Sequence, residues 1–260
     1  IGGDLQENNL EIQRALEILK EYPNRIQSVI VGNEVLLRKE LEPLELYAYI
    51  DFMKSHTKKP VTTAETWDIW EKNPQLASHV DFLTIHILPY WEKVPIERYN
   101  EFIIEKYSVV EELFPNRKIV IGETGWPSHG YNNNSAIPSI KNQAQAIRGF
   151  VNLAHEKGWH YNIIEALDQP WKGYDEGNVG QYWGIFTTDR ALKFQLAGEV
   201  ELNKYWLYQM IAAIIIGALL TLFGLKNQRV NISHAFAYAI AAQGMAFGIV
   251  MAAIYPFVNY

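Results

Sequence analysis

The sequence predicts an α/β fold: a (β/α)8 TIM barrel lacking its first three β-α units and followed by two transmembrane helices. Three observations predict it. Short apolar runs alternate strictly with helical periods over the first 200 residues, and a polar residue stands at the end of nearly every run. Two stretches without Asp, Glu, Lys or Arg then close the chain, each longer than the ~20 residues that cross a hydrocarbon core.

Taken in order, NNLEIQRALEILKEY (8–22) sets Leu10, Ile12, Ala15, Leu16, Leu19 and Tyr22 near one helical stripe, and Pro23-Asn24 ends it. SVIVGNE (28–34) reads as a short strand, and PLELYAYIDFMKSH (43–56) as a helix with Pro43 in its first turn. Strand VTTAE (61–65), a helical stretch around 71–79, strand DFLTIHI (81–87) and a helix over 97–113 follow. Strand KIVIGE (118–123), a helix over 138–157 and strand YNIIEAL (161–167) complete the alternation. Strands that are apolar throughout belong to parallel sheets covered on both faces.

The polar tips choose between the two parallel architectures. Asn33-Glu34, Glu65, His86, Glu123 and Asp168-Gln169 each lie at or just past the C-terminal end of a different run. A barrel brings all those ends to one mouth, whereas an open sheet binds at a single switch point. With five of eight strands visible, three β-α units are expected ahead of Ile1, and more chain is expected past Tyr260. The domain reading is a barrel over 1–200, spans over 205–225 and 235–258, and a loop over 226–234 between them. Tyr205, Trp206, Tyr255 and Tyr260 suit interfacial anchors, and Gly244 with Gly248 makes a small-xxx-small pair for close helix approach. The loop holds Lys226 and Arg229 and no acid, which faces it to the cytoplasm and residues 1–200 to the extracytoplasmic, periplasmic side of a cell (inner) membrane.

Composition narrows the chemistry. A formal charge of −6 with no basic field excludes nucleic acid as a partner, and the absence of cysteine excludes thiolate nucleophiles and thiolate-held zinc. The histidines show no HExxH-like spacing, and no Gly-rich loop carries a following Lys-Ser/Thr, so neither a metal nor a phosphate cofactor is expected. Eight tryptophans raise the odds of surfaces that stack on sugar rings.

Two residues ask for a chemical role. Glu34 ends SVIVGNE and Glu123 ends KIVIGE, with two strands between them, so across a barrel mouth they face one another. Alone, either acid reads equally well as a solvated loop carboxylate or an ion-pair partner. Together they form the machinery of glycoside hydrolysis, in which one carboxyl protonates the departing oxygen and the other attacks or stabilises the anomeric carbon. Like charges disfavour each other, which keeps one of the pair protonated for acid duty. Asn33 could hydrogen-bond a sugar 2-OH, and Trp91, Trp126 and Trp171, each past a strand end, could stack on sugar or equally fill the core.

VGNE (31–34), HILPYW (86–91), IGETGWPS (121–128) and ALDQPWKGYDEGNVGQYWGIF (166–186) resemble glycoside hydrolase family 17, the β-1,3-glucanases and β-1,3-glucanosyltransferases. The resemblance implies that Glu34 is the acid/base and Glu123 the nucleophile, on the fourth and seventh strands of a (β/α)8 barrel. It implies further that Asn33 orients substrate, Tyr90 lies near the nucleophile, and Lys172 with Glu176 forms a supporting charged cluster. Glu65, His86 and Gln169 complete the expected substrate contacts. DQPWK and HILPYW, with two spans behind them, look most like the bacterial membrane-bound branch, associated with extracytoplasmic β-glucan remodelling and sometimes a glucan synthase module in the same chain. The expected partners are therefore a β-glucan and a lipid bilayer. The alternatives are a non-catalytic glucan-binding module and a structural membrane subunit of a glucan-exporting system.

Overall fold

Five strands, β1 (Val29–Asn33), β2 (Val61–Thr66), β3 (Leu83–His86), β4 (Ile119–Thr124) and β5 (His160–Ile163), form one parallel sheet whose neighbours follow chain order. A doubly wound sheet reverses its order at a switch point, and this one does not, so the strands run as an arc of a barrel. The computed structural model describes residues 1–200, 205–226 and 228–254. These fall into two units, Ile1–Val200 and Glu201–Tyr260.

Helices α1 (Leu5–Glu21), α2 (Pro43–His56), α3 (Trp67–Lys72), α4 (Tyr99–Leu113) and α5 (Ile140–Lys157) alternate with the strands. Local chemistry starts and stops them. The Asp4 carboxylate accepts from the Gln6 and Glu7 amides at 2.8 and 3.0 Å, and Ser139 Oγ accepts from the Asn142 amide at 3.0 Å. Gly158 ends α5 in the left-handed region at φ 68°. The helix expected around 71–79 divides instead: α3 stops at Lys72, and Pro74 opens a separate 3₁₀ turn, Pro74–Ser78, because proline restricts the residue before it and lacks the N–H a continuing helix needs. The last strand is shorter than expected, ending at Ile163 rather than 167.

The core lies between the sheet and its helices. Leu46, Ile50 and Met53 of α2, Trp70 of α3, Ile103 and Val110 of α4 and Phe150 of α5 pack against Val61, Leu83, Ile85 and Ile121. Each such side chain contributes about 1.5–3 kcal/mol by leaving water. On the opposite, inner face the strands present polar groups that satisfy one another. Thr62 Oγ1 donates to the Phe82 carbonyl at 2.7 Å and stands 3.2 Å from Thr84 Oγ1.

Two one-residue irregularities aim the strand ends. In β1 the pairing with β2 runs Ile30↔Thr62 and then Asn33↔Ala64, one residue extra on β1; Gly32 lies there at φ 84°. In β4 it runs Ile85↔Ile121 and then His86↔Glu123, one residue extra on β4 at Gly122. A β-bulge of this kind turns the following side chain to the other face. It is why Glu123 points into the mouth while Thr124, next in line, hydrogen-bonds Tyr99 of α4 at 2.8 Å on the outer side.

The second unit contains two helices, α6 (Trp206–Leu225) and α7 (Ile232–Ile254), with Trp206–Leu225 and Ile232–Met251 long and apolar enough to cross a membrane. Gly217 and Gly224 leave notches in α6, with no room for a β-carbon against Gln243 and Tyr238 of α7. Gln243 Nε2 donates to the Ala213 carbonyl at 3.0 Å, an interhelical bond suited to hydrocarbon. The small-residue pair expected to bring helices together sits elsewhere: a β-carbon at Gly244 or Gly248 meets nothing within 4 Å, because Ala242, Ala246 and Val250 form the buried face of α7. Tyr255 and Tyr260, expected as anchors, and the end of the expected second span at 255–258, lie outside the described residues, as does position 227 of the loop.

Candidate active site

The strand ends open into a cleft of about 1000 Å³, a volume suited to an oligosaccharide. Glu34, His86, Trp91, Glu123 and Glu176 line it together with Trp67, Glu92, Tyr131 and Trp183. His86, from β3, reaches between the two acids: its Nδ1 lies 2.7 Å from Glu34 Oε1 and 3.8 Å from Glu123 Oε2. One oxygen of each carboxylate and a ring nitrogen of His86 fall within 4.8 Å of one another. Glu34 itself occupies the left-handed region at φ 56°, its amide donating to the Ala64 carbonyl at 2.7 Å. A φ of this sign costs a side chain about 1–2 kcal/mol, and the bulge before it imposes the turn.

Charge in the cleft is almost all of one sign. Among the described residues its wall carries Glu34, Asp68, Glu71, Glu92, Glu123, Asp175 and Glu176 against Lys72. The Glu123 carboxyl is held above the usual range: burial does most of this, the His86 ring opposes it and Glu34 adds to it. Lys172 also opposes it from nearby. Glu176 is pushed up as well, first by burial, with Lys172 again pulling the other way.

Lys172 is held by a residue the sequence reading passed over. Its Nζ donates to Glu165 Oε2 at 2.8 Å, and Gln169 Nε2 donates to the same oxygen. Glu165 lies just past β5, inside the apolar run YNIIEAL, the same placement that marked Glu34 and Glu123. The anticipated charged cluster therefore centres on Glu165 with Lys172 and Gln169, and Glu176 reaches the cleft beside it. Trp67 and Glu92 were also missed. Trp67 Nε1 donates to Glu92 Oε1 at 2.9 Å, and Lys106 Nζ stands 4.4 Å from the Trp67 ring centre. Trp183, likewise missed, stacks with Trp91 at 5.9 Å between ring centres.

Several expected substrate contacts are placed elsewhere. Glu65 is fully buried, accepting from the Leu36 amide at 2.8 Å and the Leu37 amide at 3.3 Å; it braces the loop that follows Glu34. Its carboxyl is pushed up to about 7, chiefly by burial, against the pull of those two amides. Trp126 is fully buried and donates to the Ile137 carbonyl at 3.1 Å, so it cannot stack on sugar. Tyr90 is fully buried among Trp91, Trp126 and Trp183, its hydroxyl donating to the Tyr131 carbonyl at 2.7 Å. Trp171 is well exposed but outside the cleft wall, with Lys172 Nζ 5.9 Å from its ring. Asn33 is exposed and contributes its carbonyl, which accepts from Arg38 Nη2 at 2.6 Å.

Comparison with known proteins groups the chain with glycoside hydrolases. A family model described as the BtgE/BtgC glycoside hydrolase domain matches residues 2–184. A glucan 1,3-beta-glucosidase of Saccharomyces cerevisiae is 28% identical over 209 residues, covering 71% of this chain and 66% of its own length. The enzyme of that description from Schizosaccharomyces pombe is 27% identical over 203 residues, covering 72% and 63%. The chain thus spans just under two thirds of these relatives. Among solved structures, an active-site mutant of a Rhizomucor miehei beta-1,3-glucanosyltransferase in complex with laminaritriose superimposes with a TM-score of 0.62 at 26% identity, covering 70% of this chain and 69% of that one.

Proposed function

The chain belongs to the BtgE/BtgC glycoside hydrolase family, a group resembling family 17, and from that premise we propose that it is a retaining, β-1,3-glucan-active glycosidase or transglycosylase. The observation that carries the mechanism is the spacing of the acids. One carboxyl oxygen of Glu34 and one of Glu123 lie within 4.8 Å of each other, which supports the roughly 5–5.5 Å carboxyl separation of retaining enzymes over the about 6.5–9.5 Å of inverting ones. In the first step a Glu123 oxygen bonds to the anomeric carbon as the glycosidic bond breaks, and Glu34 gives its proton to the departing sugar oxygen. In the second, Glu34 takes a proton from the acceptor, whose oxygen displaces Glu123 as a carboxylate. Water as acceptor gives hydrolysis, and a glucan hydroxyl gives transfer. Trp91 and Trp67 offer flat faces along the cleft, with Trp183 buried against Trp91, and the acidic wall suits an uncharged glucan.

We read the strand arc as part of a (β/α)8 barrel and α6–α7 as a membrane hairpin. With Lys226 and Arg229 on the cytoplasmic side, the cleft opens outside the membrane, as in the bacterial membrane-bound branch, onto envelope glucan. The wording of DQPWK and HILPYW supports that branch, and the likeness to a glucanosyltransferase favours transfer over hydrolysis.

The test incubates the protein with linear β-1,3-gluco-oligosaccharides and follows chain length. Products longer than the starting sugar indicate transfer, and shorter ones alone indicate hydrolysis. First-formed reducing ends in the β configuration support the double displacement, and Glu123→Ala lowers turnover by at least ~10³-fold. Binding without turnover would replace this reading with that of a glucan-binding module.

A further inference from the structure

From the hydrogen bonding of His86 we infer that its ring is a one-way donor that fixes which oxygen of Glu34 carries the catalytic proton; this rests on the retaining reading of the Glu34–Glu123 pair. His86 is buried, and its two ring nitrogens have opposite surroundings. Nδ1 lies 2.7 Å from Glu34 Oε1, whereas Nε2 is buried with no hydrogen-bond partner. What stands beyond Nε2 is backbone without a side chain: a β-carbon built at Gly122 would fall 2.9 Å from Nε2, 2.8 Å from the adjacent ring carbon Cδ2, and 2.6 Å from Thr84 Cγ2. The bulge glycine of β4 is the space into which the ring fits.

Proton placement follows from this asymmetry. A neutral imidazole has one N–H and one bare lone pair. A proton on Nε2 would bury an N–H with no acceptor, a rarer and costlier state than an unpaired acceptor. It would also leave Nδ1 as a lone pair, which would accept the Glu34 O–H and turn the acid away from the sugar. A proton on Nδ1 meets a carboxyl oxygen instead. Glu34 Oε1 is then occupied as an acceptor, and the proton that Glu34 delivers must reside on Oε2, the oxygen left to face the glycosidic bond. When Oε2 hands that proton to the leaving sugar oxygen, the new carboxylate still holds the Nδ1–H. In the second step Oε2 recovers a proton from the acceptor. His86 neither gains nor loses one. The titratable groups around the ring are Glu34, Glu123 at 3.8 Å, and the buried Glu65 of β2, which interacts with it electrostatically. His86 is thus a positioning residue acting through Glu34.

The experiment compares two substrates whose need for acid catalysis differs, with the full chain in detergent. Linear β-1,3-gluco-oligosaccharides have a poor leaving group and require protonation, whereas dinitrophenyl β-laminaribioside releases dinitrophenolate without it. His86→Ala is expected to lower kcat on the oligosaccharides roughly 10²-fold, with KM within about twofold, and to lower the pre-steady-state dinitrophenol burst at least ten times less. His86→Asn places an amide N–H near Nδ1 and recovers most of the loss; His86→Gln, whose amide lies nearer Nε2, does not. In the wild type, ¹⁵N NMR of labelled histidine shows Nε2 as the nitrogen without a proton, a readout that needs no turnover. Equal losses on both substrates, or rescue by glutamine rather than asparagine, would overturn the inference while leaving the glucan reading intact. A protonated Nε2 would overturn it even in a protein inactive on these sugars. Absence of any burst in the wild type, with Nε2 bare, would instead count against the glucan reading.

Discussion

Replacing Glu65 with glutamine isolates the energetic load of a carboxyl placed behind the loop that follows Glu34. The carboxyl is pushed from 4.5 to about 7 by burial and is fully shielded from solvent. The sign follows from linkage: a carboxyl harder to ionise in the folded chain leaves the unfolded chain free to release its proton first, so stability present below about pH 4.5 is lost as pH rises toward about 7. A difference of about 2.5 units corresponds to about 3 kcal/mol. Glutamine removes that term, and its carbonyl can still accept from the Leu36 amide. It serves the weaker Leu37 contact at 3.3 Å less well, at a cost of about 1 kcal/mol. The variant is therefore expected to be about 1 kcal/mol less stable than wild type near pH 4.5 and about 2 kcal/mol more stable at pH 8. Urea unfolding of the detergent-solubilised protein, followed by tryptophan fluorescence at both pH values, measures the crossing. A stability difference that stays constant with pH would refute the reasoning.

Other outcomes follow from the same geometry. Lys172→Met removes a cation that favours ionised Glu123, so the acidic limb of the kcat/KM profile should move to higher pH; an unmoved limb would separate Lys172 from Glu123. Gly122→Ala places a methyl against Thr84 and His86 and should destabilise by about 1–3 kcal/mol in thermal unfolding while reducing turnover, because the His86 ring must leave Glu34. Glu34→Gly and Glu34→Ala both delete the carboxyl, but only glycine accepts φ 56° without strain, so the glycine variant should be the more stable of the two by about 1 kcal/mol, with neither active.

The periodic part of this fold was legible because it rests on local signals. Alternating helical stripes and apolar runs placed every strand of the sheet, and α2 ran from Pro43 to His56 as read, because a proline in the first turn and a continuous periodic face define it. Glu34 and Glu123 could be singled out since each is a charge at the end of an apolar run, within two residues of a glycine. What the chain alone did not separate is the direction in which a side chain leaves the strand end. Glu65 has the same kind of sequence setting as Glu34, yet it turns inward to the amides of 36 and 37, a contact 28–29 residues distant. Trp126 and Trp91 both follow strand tips, and only tertiary packing buries the first and leaves the second on the cleft. Trp183 went unnoticed because the segment carrying it has no periodicity to mark one residue above another, whereas Glu165 went unnoticed because the apolar run YNIIEAL continues past it, hiding the strand end at Ile163.

Glu123 sits one step out of phase with the sheet that carries it. Side-chain direction along a strand is a parity, even or odd, and the extra residue at Gly122 flips it just before the acid. Point substitutions among the helix-facing positions leave that parity untouched and can vary widely. Deleting one residue between Ile121 and Glu123 would send the carboxyl into the helical layer with every other amino acid kept, so chain length in that short segment is a stricter requirement of the cleft than the identity of most residues around it.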